Sequence, residues 1–452
     1  MTEIAQTSHF NHFFNQASLE QLVADILQEA ARQGATSAEV DVAVNKGFSV
    51  QLRMGEVETV EYNQDKIIGI TVFFGQRSGS ASVSDLRPES LRAAVQAACN
   101  IARFTDEDSF GGLAEKSLLA FNYTAPDVYY PWNIAVADAI ELARECEAIA
   151  LAKDKRITNS EGVSIGTVEV LHGYGNSHGF IGIYPVTRHE LSCVLIAKEG
   201  DEMQRDYSYT VNCDANSLES IQSIAEKAAE RTISRLGGRR VPTCRVPVIF
   251  EAEAARGLVG HFISAIQGGS LYRKSSFLVD HLGKQIFPKH IQIDERPFLP
   301  KSLGSAPFDD NGVATQSNVF IKDGVLEKYS LGVYSARKLG MQTTGNAGGV
   351  HNLFISHGKN DLPALLKKMD KGLLVTELMG NGVNLVTGDY SRGMSGFWIE
   401  NGQIAYPVEE ITIAGKLPDM YGNLVEVGND VDQRGNVQTG SILLEEMMVA
   451  GE

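Results

Sequence analysis

The sequence predicts an α+β protein: an N-terminal half of two helix–antiparallel-strands–helix units, then a mainly β C-terminal domain that carries one prominent helix. Three observations predict it. Four segments before residue 237 show apolar residues at helical spacing, with alternating strand-like runs between them. The segment GGRRVPTCRVP at 237–247 combines two glycines, two prolines and three arginines and reads as a linker. Beyond it the chain is glycine-rich and dense in short apolar runs. At 452 residues, two or three domains are expected: 1–236 with sub-units 18–104 and 130–236, the linker 237–247, and 248–452.

The first helix is expected over 18–34, where Leu19, Leu22, Val23, Ile26, Leu27 and Ala30 share a stripe that Gly34 ends. Alternation then predicts antiparallel strands at 38–44, 48–54, 57–62, 67–74 and 78–83. A helix follows from Pro88, a favoured first-turn residue, to about 103. The second unit repeats the order: a helix over 134–153, strands at 164–174, 179–187 and 191–198, and a closing helix over 218–236. In the C-terminal half, helices are expected at 252–267 and 362–369, and strands at 318–322, 373–378, 396–400 and 404–408. Asp323-Gly324 and Asn401-Gly402 are two-residue hairpin turns, whose positions must tolerate positive φ.

Composition narrows the function. Hydrophobic residues at 43% and charged ones at 21% are those of an ordinary globular protein. Forty basic against 56 acidic side chains give a net charge of -16, which repels phosphate backbones and disfavours direct nucleic-acid binding. The five scattered cysteines include no C-x-x-C pair, against both a disulfide framework and a cysteine zinc site. Residues 1–10 lack a basic start and an apolar run, so no signal peptide is read there, and no segment reaches the ~18 apolar residues of a membrane span. The expected compartment is the cytoplasm.

Four ordered tracts carry a resemblance: GGSLYRKSSF at 268–277, TGNAGGVH at 344–351, GDYSRGMSGFWIENG at 388–402 and VGND at 427–430. Together they resemble the TldD/PmbA family, specifically its PmbA (TldE) branch, over nearly the whole chain. The TldD branch is similar to a zinc peptidase whose helix carries H-E-x-x-x-H and whose late cysteine completes the metal site. The resemblance places the first histidine on His261, the glutamate on Phe262, the second histidine on Ile266 and the cysteine on Thr439.

Ligand counting then decides the expectation. A catalytic zinc takes three protein ligands, an activated water and a carboxylate to receive the water's proton. Phe262 cannot accept a proton, Ile266 has no lone pair, and Thr439 offers a neutral hydroxyl for a thiolate. This metal helix is degenerate: no catalytic residue, no metal ligand set and no cofactor are expected in this chain. Leu258, Phe262 and Ile266, spaced four apart beside Ala255, Val259 and Ile263, instead form an apolar stripe.

Other residues are weaker candidates. Ser270, Tyr272, Arg273, Asp389, Arg392 and Trp398 could line a peptide cleft or touch a partner, although an Asp389–Arg392 pair inside a structural loop explains two of them equally well. His281, His290, His351 and His357 lack metal-type spacing, and Gly345 to Gly349 has no following lysine for a phosphate loop.

The resemblance implies a subunit of a cytoplasmic metalloprotease that cleaves unfolded peptides, with zinc expected in a TldD-type partner. It further implies microcin maturation by leader removal and antitoxin degradation, and a homodimer is open when the chain is alone. Two other readings stay open: a self-sufficient peptidase of different mechanism, and a regulatory partner of DNA gyrase acting through protein contact.

Overall fold

The computed structural model describes residues 15–451, so the signal-peptide reading of residues 1–10 lies outside the described residues. Helix α1 (Gln16–Arg32) starts where the Asn15 side chain accepts from Ser18 N. Three strands follow, β1 (Ser37–Arg53), β2 (Glu56–Phe74) and β3 (Arg77–Val83), then α2 (Pro88–Phe104). The second unit comprises α3 (Val136–Ala152), β4 (Ile157–Asn176), β5 (Ile181–Glu199), β6 (Glu202–Asn212) and α4 (Ile221–Ser234).

The two units do not form separate sheets. Their strands make one six-stranded sheet in the order β3-β2-β1-β4-β5-β6. Its centre is the antiparallel pairing of β1 with β4, from Glu39↔Asn176 to Leu52↔Val163. Strands expected to break at 45–47 and 63–66 run straight through, with Asn45 opposite Asp65, Lys46 opposite Gln64 and Gly47 opposite Asn63. The polar residues expected to turn at 188–190 likewise lie within β5, and β6 was not anticipated. Gly47 is required there: a Cβ would meet Thr167 O at 2.1 Å. Alternate residues of the sheet meet the helices: Val40, Val42 and Val44 pack under α1 and α2, and Val50, Ile165 and Leu195 under α3 and α4.

Only the first part of the expected linker is loop. Cys244–Phe250 is strand β7, tied by parallel pairing to β12 (Gly372–Met379) and by antiparallel pairing to β18 (Ile442–Ala450). Pro247, which has no N–H to give, sits where the β18 register shifts between Leu444 and Met447. With β14 (Asp389–Glu400) and β15 (Gln403–Lys416), the pairings β12-β7-β18-β15-β14 close on themselves through β12–β14. The C-terminal part is thus built on a closed β-barrel, which the sequence reading did not specify. A second sheet has the order β10-β9-β8-β11-β17, from β8 (Ile293–Glu295), β9 (Asn318–Lys322), β10 (Val325–Leu326), β11 (Leu353–Ile355) and β17 (Val437–Gln438).

Helix α5 (Ala252–Ile266) packs on one side of the barrel strands, against Val248, Phe250, Leu373 and Met394. A later helix at 362–369 covers the other side, against Ile249, Leu374, Phe397 and Leu443. The halves meet through an aromatic cluster in which Phe308 lies edge-on to Phe180, Tyr123 and Tyr184, each pair at 5.3 Å. Arg235, at the end of α4, donates to Asp206 at 2.6 Å and to Glu377 of the barrel at 2.5 Å.

Candidate functional site

The site is built on α5. Glu251 N donates to Val375 O, and Ala252 N to the Ser441 hydroxyl at 3.1 Å. Ser441 Oγ in turn donates to Asp430 Oδ2 at 2.6 Å. Gly428 and Gly440 lie so close that a Cβ on Gly440 would come within 1.9 Å of Gly428 O. The VGND tract and the TGS segment are therefore a backbone knot that anchors the helix N-terminus.

The four positions that the resemblance sets against a zinc motif separate by environment. Phe262 and Ile266 are 0% exposed and belong to the barrel core. Thr439 is also fully buried, its hydroxyl donating to Gly440 O at 3.0 Å. His261 faces another way and is half-buried, its ring 6.1 Å from that of Tyr390. Its Nε2 is enclosed with no hydrogen-bond partner among the described residues, as is Nε of Arg392. Burial, and then the Arg392 charge, hold the His261 pKa below its ordinary value, so the imidazole is neutral at pH 7. Burial pushes the Tyr390 hydroxyl up to about 12.

This donor set does not fit zinc. One imidazole faces a guanidinium, and the remaining motif positions are packed hydrocarbon or a hydroxyl already spent on the backbone. Among the described residues, no group of three or more His, Cys, Asp or Glu is placed to hold a metal ion.

The other candidates fall in two places. Ser270 and Tyr272 lie in the short helix Gly268–Tyr272, and Arg273 caps it. Tyr272 stacks edge-on to Tyr334 at 5.7 Å, while the exposed Arg273 covers the Tyr272 ring at 5.2 Å. Asp389, Arg392 and Trp398 all lie on β14, but not together. Residues three apart on a strand point to opposite faces, so the expected Asp389–Arg392 pair does not form. Asp389 accepts from Thr387 and faces Lys416 Nζ at 3.9 Å, whereas Arg392 points to Leu378 O, Tyr390 and His261. Trp398 is 6% exposed, stacks on Tyr406 and donates to Glu400, so it packs the barrel instead of lining an open cleft.

The TGNAGGVH tract wraps the buried Glu295. That carboxylate accepts from Asn346 and Asn318 at 2.8 Å and from the His351 backbone, which accounts for the tract structurally. No sequence motif pointed to a charged cleft of about 590 Å³ where the N-terminal sheet meets the α5 start. Arg434 there holds Glu253 at 3.1 Å and Asp432 at 2.8 Å, and Arg231 holds Asp206 at 3.3 Å. Its residues come from separate segments with no shared spacing, and the only local signal was the charged run at 430–434.

Family models for the PmbA/TldA metallopeptidase match all three parts of this architecture: domain 1 over 38–102, the central domain over 129–236 and the C-terminal domain over 243–451. The chain belongs to the PmbA/TldD family. Within it the PmbA branch is the near one. The chain is 50% identical over 434 residues to Metalloprotease PmbA of Escherichia coli O157:H7, covering 96% of each chain. It is 47% identical to a Metalloprotease PmbA homologue of Haemophilus influenzae, again over 96% of each. That organism also has a Metalloprotease TldD homologue, 24% identical over 428 residues, covering 87% of this chain and 86% of that one. A Bacteroides thetaiotaomicron crystal structure, named as a candidate modulator of DNA gyrase, superposes with a TM-score of 0.91 at 28% identity, covering 97% of this chain and 100% of that chain. TldE from Thermococcus kodakarensis shares the fold, with a TM-score of 0.80 at 21% identity, covering 95% of this chain and 100% of that one. The metalloprotease and PmbA readings of the sequence stand. Among the described residues, no helix is long and apolar enough to cross a membrane.

Proposed function

We propose that this chain is the non-catalytic subunit of a cytoplasmic metalloprotease whose TldD-type partner supplies the zinc, the general base and the late cysteine. The observation that carries this reading is the burial of Phe262 and Ile266 at 0% exposure, where a working site would present a carboxylate and an imidazole to solvent. The presence of PmbA-type and TldD-type proteins in one organism supports a paired assembly.

In this reading the chain shapes the chamber and the substrate path. Its substrates are unfolded peptides, which suit a β-rich protein because an extended chain satisfies its backbone hydrogen bonds by strand addition. Microcin leader removal and antitoxin degradation belong to the same substrate class. Ser270, Tyr272, Arg273, Asp389 and Arg392 are the contacts to peptide or partner, since each keeps solvent exposure.

Reconstitution tests the proposal. Cleavage of a flexible peptide is expected only when this chain is mixed with a TldD-type chain, and is lost when the partner's zinc ligands are replaced. Chelator-sensitive cleavage by this chain alone contradicts it.

A further inference from the structure

Leu171 and Ile183 pack under the helices, so their even-numbered neighbours on β4 and β5 face away from them. That free face closes one side of a cleft of about 400 Å³, and the loops at 303–310 and 347–351 close the other. Three successive cross-strand pairs form its floor: Val168 with Arg188, Val170 with Val186, and His172 with Tyr184. The last pair stacks at 28°, ring centroids 6.1 Å apart. Asp310 shares that end, its charge acting on both His172 and Tyr184. It lies so close to the TGNAGGVH tract that a Cβ on Gly348 would come within 2.2 Å of its Oδ2.

Two groups at this end lack partners. Asp310 makes no side-chain hydrogen bond or ion pair among the described residues, and the Tyr184 hydroxyl makes no hydrogen bond, although Tyr184 is only 8% exposed. Arg188, the one lysine or arginine among the described lining residues, lies 3.6 Å from Glu190. Glu39 and Asp41 add negative charge from β1, and neither is ion-paired. Crowding desolvates all three carboxyls and raises them above their ordinary range. Such an end favours a cation. Among the described residues no three donors are placed to close on a metal ion, which leaves a larger, organic cation.

We propose that the cleft binds a primary alkylammonium group, its nitrogen between the Asp310 carboxylate and the Tyr184 hydroxyl and its stem along Val170 and Val186. The floor sets the stem length. Neighbouring pairs on one face of a strand lie two residues, about 7 Å, apart, which suits a stem of about four carbons. The ammonium donates to the carboxylate and the hydroxyl and rests beside the Tyr184 ring, while the stem covers valine. A lysine side chain of a peptide and a free alkylamine share this chemistry.

The test is a ligand-detected NMR titration of the purified full chain with butylammonium chloride, with butanol as the uncharged match. An acetylated glycine–lysine–glycine amide, with norleucine for lysine as its control, represents the peptide source. Saturable binding of butylammonium and not of butanol is expected. Asp310→Asn should weaken it at least about tenfold and Tyr184→Phe about threefold, with melting temperatures close to the parent because neither polar group bonds to the fold. Binding of both amines, or of the lysine peptide without its norleucine control, sustains the proposal, and the second outcome assigns the site to peptide lysines. Failure of either amine to saturate overturns it when both fail. So does equal binding of butanol, or binding that Asp310→Asn leaves unchanged.

Discussion

The ring of Phe262 stands edge-on to that of Phe287, with centroids 5.3 Å apart and planes at 79°. Tyr421 closes the same cluster at 6.0 Å from Phe262. The position that the family resemblance gives to a general base is therefore an aromatic contact in the barrel core. Phe262→Ala is expected to lower unfolding free energy by about 3–5 kcal/mol, measured by urea denaturation. Phe262→Glu should be at least as damaging, because it buries an unpaired carboxylate. A negligible loss in both variants would remove the packing role.

Arg235 joins the halves through two carboxylates while only 10% exposed. Arg235→Met leaves the buried Asp206 with Arg231 alone, and should cost about 3 kcal/mol. Arg235→Lys should recover little, since an ammonium cannot span both partners as the planar guanidinium does. Thermal melts of the three proteins, read beside protease cleavage at residues 237–243, check this.

The Asp41 side chain keeps an exposed face, yet crowding by its neighbours desolvates the carboxyl and, with the charges of Glu39 and Asp310, raises it to about 7. A carboxyl raised in the folded state binds its proton more tightly there than when unfolded. Its stabilising contribution is full below the unfolded value and is lost as pH rises from about 4 towards 7. Asp41→Asn should therefore stabilise the chain at pH 8 relative to the parent, with a smaller gain or none at pH 4. Equal effects at the two pH values would contradict the raised carboxyl.

Gly47 tests whether the N-terminal sheet is one unit. Its missing Cβ faces backbone, Thr167 O, which no rotamer change can move. Gly47→Val should cost at least about 1–3 kcal/mol and unfold both sub-units together. Two separate transitions in calorimetry would mean that the halves of the sheet are independent.

Much of this was legible in the sequence because the helices show clear apolar stripes and the C-terminal motifs are long and ordered. The single sheet was not. Asn45 to Gly47 and Asn63 to Lys66 are polar because this middle stretch of the β1–β2 pair is partly open to solvent, and local pattern cannot tell a solvated strand from a turn. Barrel closure depends on the β12–β14 pairing, which no local spacing encodes. The packing role of Phe262 and Ile266 was readable from their spacing with Leu258. That Arg392 faces His261 while Asp389 turns away depends on strand parity, and the spacing already held that information.

Metal analysis of the chain purified alone, after dialysis against a chelator, tests the central claim most directly. No stoichiometric zinc is expected, and no change in metal content on His261→Ala. Near-stoichiometric zinc that survives dialysis and disappears in His261→Ala would contradict it.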